Sequence, residues 1–135
     1  MAPVGLTKDT GWQIGLRRTL PTTPEAVWAL LFSEPGLRTW LGELPGFELK
    51  EGAAFELSDG TRGKFTTVKT GSHVRLQWYP LGYPRYSIMQ VRVLPAANGR
   101  TTISFHQEHL PDERAREKRR EFFAGAMKAL ERLVV

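Results

Sequence analysis

The hydrophobic period of this chain changes for good only once, at Pro111, and that change limits the folds open to it. Before that point apolar residues recur at alternate positions in run after run; after it they recur at helical spacing to the end. Trp12, Ile14, Leu16 and Leu20 open with a period of two, the mark of a half-buried strand, and Pro21 ends it. Thr22–Phe32 begins like a helix. Thr22 with Glu25 has capping-box spacing, while Thr23 would place Pro24 at the first helical position, and either threonine serves as the cap. Val27, Leu30 and Leu31 share one face of it, flanked by Trp28 and Phe32. Pro35-Gly36 is expected to break this helix, and a second short helical turn, Leu37 to Leu41, carries Trp40.

Strand patterns follow one another from there. Phe47-Glu48-Leu49 reads as a short strand, and Phe55 and Leu57 alternate up to the hairpin signal Asp59-Gly60. Gly63, Phe65 and Val68 return toward Gly71-Ser72; Val74, Leu76 and Trp78 alternate next. After the loop Pro80 to Pro84 come Met89, Val91 and Val93, then the turn Asn98-Gly99, then Thr101, Ile103 and Phe105. Asp112 opens a helix expected to reach about Leu133, roughly 30 Å at the helical rise per residue. Phe123, Met127, Leu130 and Val134 line one face of it, beside Phe122, Ala126 and Leu133. Strands joined by hairpin turns argue against a parallel βαβ sheet. The class is therefore α+β: an antiparallel sheet of about six or seven strands, two short helices after the first strand, and one long C-terminal helix covering a sheet face.

At 135 residues the chain has room for one domain, 1–135, and not for two ordinary ones. It contains no cysteine, which excludes disulfides, thiolate metal sites and cysteine nucleophiles and fits a reducing compartment. Met1 to Asp9 has no basic flank followed by an apolar segment, and no apolar run approaches the roughly 20 residues of a membrane span. A cytoplasmic protein, a monomer or a weak homodimer, is the expectation. The net charge of +5 invites nucleic acid as a partner. The basic run Arg114, Arg116, Lys118, Arg119, Arg120, however, alternates with Asp112, Glu113, Glu117 and Glu121. Asp112 with Arg116 and Glu117 with Arg120 sit at helical neighbour spacing, so the run reads as a solvated helix face and no nucleic acid is expected.

His106-Gln107-Glu108-His109 most resembles a site. On a strand His106 and Glu108 point one way and Gln107 and His109 the other, whereas zinc needs three or four convergent ligands. No metal and no cofactor is expected. With neither a cysteine nor a Gly-x-Ser-x-Gly elbow, no catalytic nucleophile is expected either. General acid–base chemistry would draw on Arg62, Gln90, Gln107, Glu108 and His106, for each of which a surface position is the commoner fate.

This order of elements resembles the helix-grip fold of the START, SRPBCC and birch-pollen-allergen superfamily, and within it the branch named for the activator of the heat-shock protein 90 ATPase. The carriers are Arg18-Thr19-Leu20-Pro21, Thr23-Pro24-Glu25-Ala26-Val27-Trp28, the Trp40 turn, Asp59-Gly60 and Gly63-Lys64-Phe65, then His73 to Trp78 and Thr101 to Phe105. Relatives commonly place a tryptophan on the last helix where this chain has Phe122-Phe123. The resemblance implies a curved sheet wrapped around the long helix, with a cavity between them. Trp78, Phe55, Phe65, Met89, Phe105, Phe123 and Met127 would converge there as ligand-binding residues, and Trp28 and Trp40 either guard its mouth or only pack. The expected function is binding of a small apolar or amphipathic molecule. A co-chaperone-like interaction module and a polyketide cyclase- or dehydratase-like enzyme are the alternatives.

Overall fold

A computed structural model describes residues 6–7, 11–44 and 47–134. The reading of Met1 to Asp9 therefore lies, apart from residues 6–7, outside the described residues. In chain order the elements are β1 (Leu6–Thr7), β2 (Gly11–Leu20), α1 (Pro24–Leu31), α2 (Glu34–Trp40), β3 (Ala54–Glu56), β4 (Arg62–Lys69), β5 (His73–Tyr79), β6 (Ser87–Pro95), β7 (Thr101–Leu110) and α3 (Glu113–Leu133). The strands form one antiparallel seven-stranded sheet in the order β1-β2-β7-β6-β5-β4-β3. The α+β helix-grip architecture expected from the sequence is the one observed.

The period of two translates directly into burial. Ser87, Met89, Val91 and Val93 of β6 and Thr101, Ile103, Phe105 and Gln107 of β7 face inward against α3, whose Phe123, Ala126, Met127 and Leu130 complete the core. The Asp112 side chain caps α3 by accepting from the Ala115 N–H at 2.7 Å. Two contacts lay α3 along β2: the Arg116 Nε donates to the Gln13 carbonyl at 2.7 Å near one end, and Glu131 pairs with Arg18 near the other. Arg116 thus reaches Gln13 and Glu117 instead of pairing with Asp112, while Glu117 does pair with Arg120 at 3.0 Å.

Of the two caps open to α1, Thr23 is the one used, with Pro24 in the first turn where its missing N–H costs nothing. Pro35-Gly36 does not break a helix. It lies in the first turn of α2, capped by Ser33, and Gly36 is needed because a Cβ there would stand 1.7 Å from the Leu30 carbonyl oxygen. The Phe47–Leu49 strand does not form; that segment is irregular, and Phe47 packs on Phe65 at 5.3 Å between ring centroids.

Candidate functional site

The aromatic and apolar residues expected to line a cavity pack mainly on each other. Phe105 stacks on Phe123 at 4.9 Å and 10°, Trp40 lies 6.0 Å from Phe105, and Phe55 lies 5.7 Å from Phe65. Phe65, Met89, Phe105 and Phe123 are fully enclosed, and Met127 nearly so. Trp40 is buried with its indole N–H donating to the Leu31 carbonyl at 2.8 Å, whereas Trp28 is half-buried against Phe32 at 4.6 Å. Surface concavities of 230 to 550 Å³ flank this core, and none of them is lined by Phe65, Met89, Phe123 or Met127.

Within this apolar interior runs one chain of polar side chains. It begins at β7, where pairing slips between Trp12↔Leu110 and Ile14↔Gln107, and His109 takes φ of 61° to absorb the extra residue. Ahead of that bulge the alternation of β7 carries Gln107 fully inside. Its amide nitrogen donates to the Ser87 hydroxyl of β6 at 2.6 Å, and that hydroxyl donates to the Trp78 carbonyl of β5 at 3.4 Å. Its amide oxygen accepts from the Nε of Arg119 on α3 at 2.8 Å.

Arg119 is only 9% exposed. Its guanidinium carbon sits 4.1 Å from the Trp78 ring centroid, 4.4 Å from Phe122 and 4.6 Å from Phe123, so aromatic faces replace much of its water. Tyr83, from the loop between β5 and β6, meets Trp78 edge-on at 5.6 Å. Among the described residues no carboxylate pairs with Arg119. Burial pulls its pKa down to about 10, opposed by Tyr83, so the group stays cationic near neutrality. Burial likewise raises the Tyr83 phenol, against the pull of Arg119.

The basic run before Phe122 is therefore not wholly solvated. Arg119 turns inward, and its spacing reveals it: 119, 123 and 127 lie four apart on the core face of α3. The other polar candidates stand apart from this polar chain. Arg62 is exposed beside Glu56, Glu108 is mostly covered and lies 3.7 Å from Arg75, and half-buried His106 shares a 2.9 Å hydrogen bond with Gln13. Gln90 is half-buried, on the same surface concavity as His106.

A family model described as Activator of Hsp90 ATPase homolog 1-like protein matches residues 21–135. The chain belongs to this family. No curated protein matches it. Among solved structures it is similar to a protein of Chromobacterium violaceum, at 22% identity and a TM-score of 0.76, over 90% of this chain and 96% of that one. It is similar also to CalU16 from Micromonospora echinospora, at 18% identity and 0.77, over 90% and 73%. An HSP90 activator from Plasmodium falciparum aligns at 19% identity and 0.61, over 73% and 74%. Likeness at these identities carries the fold and nothing finer. No helix among the described residues is long and apolar enough to cross a membrane.

Proposed function

We propose that the protein binds a small amphipathic molecule where the first half of α3 meets β5, β6 and the loop before β6. The supporting observation is the buried polar chain Ser87–Gln107–Arg119, which ends in a cation without a carboxylate partner among the described residues, beside Trp78, Tyr83 and Phe122. A core held together by burial alone has no use for this group, because an unpaired buried charge destabilises the fold that contains it.

A concavity of about 230 Å³, lined by Gly60, Arg62, Tyr79, Pro80, Leu81 and Tyr83, adjoins the site through Tyr83. It offers apolar contact for a ligand's body. Leu81, 78% exposed at its rim, is an apolar side chain left in water when nothing covers it. Among the described residues, the one deeply buried titratable group with a displaced pKa near the polar chain is an arginine, which suits it to holding charge in place and not to shuttling protons at neutral pH.

Native mass spectrometry of the purified protein, compared with its denatured mass, tests this reading. An adduct lost on denaturation, and lost also from Trp78→Ala, supports it. A bare protein that also fails to bind amphipathic dyes refutes it.

A further inference from the structure

Resting on that reading, we propose that the ligand is an anion, an aromatic or conjugated carboxylate whose charged end docks on the terminal nitrogens of Arg119. The Nε–H is committed to Gln107, which fixes the plane of the guanidinium. The two terminal nitrogens have no hydrogen-bond partner among the described residues, yet no enclosed polar side-chain atom there is left unpaired. They therefore retain a route to the outside while the flat of the group is held between rings.

A guanidinium presenting two parallel N–H groups matches the two oxygens of a carboxylate, and such pairs are the stronger class of hydrogen bond. The weak hydration left at this position favours the pairing further, since the desolvation of the cation has already occurred on folding. Arg119 is the buried cation of α3, so the charged end of the ligand belongs there. The rings of Trp78, Phe122 and Tyr83 supply flat surfaces against which a conjugated body stacks.

The test compares two dyes of one scaffold: anionic 1-anilinonaphthalene-8-sulfonate and uncharged N-phenyl-1-naphthylamine, each titrated by fluorescence into wild type and Arg119→Met. The expected result is that Arg119→Met weakens the sulfonate dye tenfold or more and leaves the uncharged dye within twofold. Near-UV circular dichroism checks that the variant keeps its native packing. A second comparison needs no variant: 2-naphthoate should displace the bound dye from wild type at least tenfold better than 2-naphthamide of the same shape. Equal loss of both dyes, or equal displacement by acid and amide, overturns the anion assignment while leaving amphipathic binding standing. If neither dye binds wild type, the binding reading fails and takes this one with it.

Discussion

The pair Arg119–Gln107 should be coupled strongly enough that removing both partners costs less than removing Gln107 alone. Gln107→Leu takes away the oxygen that accepts the Arg119 Nε–H at 2.8 Å and leaves a buried cation short of a partner. Hydrogen bonds to charged groups contribute about 1.5–3 kcal/mol, so the single variant should lose about 3 kcal/mol of unfolding free energy. Arg119→Met leaves the Gln107 oxygen orphaned, at about 1–3 kcal/mol. It also relieves the burial that holds the guanidinium pKa at about 10, an effect of about 3 kcal/mol in the opposite sense. The attraction between the cation and the surrounding rings disappears too, which brings the net cost to about 1 kcal/mol. The double variant has neither an orphaned oxygen nor an underpaired cation, and should lie within about 1 kcal/mol of wild type. The coupling is then about 3 kcal/mol, measurable by urea denaturation of the four proteins at matched m-values. Additivity within about 0.5 kcal/mol would refute the idea that this polar chain is a single unit.

Three further outcomes follow from the packing. Gly63→Ala should destabilise by about 3 kcal/mol or prevent folding, since its Cβ would stand 2.2 Å from the Phe55 ring and 2.4 Å from the Gln77 carbonyl oxygen; thermal melting reads this. Trp40→Phe should cost about 1–3 kcal/mol in urea unfolding by leaving the buried Leu31 carbonyl without its donor. Asp59, whose carboxylate accepts from the Thr61 N–H at 2.9 Å, has its pKa held below the usual range by that bond. Its stabilisation is present above the ordinary carboxylate pKa and is lost as pH falls through the depressed value. The deficit of Asp59→Ala should therefore shrink on acidification, as read by denaturation at a series of pH values.

Most of the fold was legible in the sequence because one side of each inner strand is core. Ile103 and Phe105, or Met89 and Val91, could not alternate as they do unless the sheet had one covered face. Asp112 announced α3 by the ordinary chemistry of a cap. Ser33-Glu34-Pro35-Gly36 misled because Pro-Gly is a turn signal almost everywhere except behind a capping serine, where proline loses no hydrogen bond. Phe47-Glu48-Leu49 has strand spacing, but an aromatic cluster holds Phe47 where a ladder was expected. The site was half visible. Gln107 continues the inward series 101, 103, 105, so its parity marked it, whereas Arg119 was masked by the charged residues around it despite sharing the face of Phe123 and Met127. Charge alternation along a helix says which residues can pair locally; it is silent about which of them a sheet will cover.

The outermost strands of the sheet, β1 and β3, are its shortest, at two and three residues. β3 covers only the first three residues of β4, with Glu56 and Arg62 crossing that margin as a charged pair, and β1 covers only Gly11 and Trp12 of β2, beyond which Arg116 reaches from α3 to the Gln13 carbonyl. The short, charged β3 end of the sheet is therefore a poor template for pairing with another chain. Any self-association by strand pairing should instead run through the margin of β2 beyond Trp12, which has no strand partner among the described residues, so substitutions there should alter it while substitutions in β3 do not.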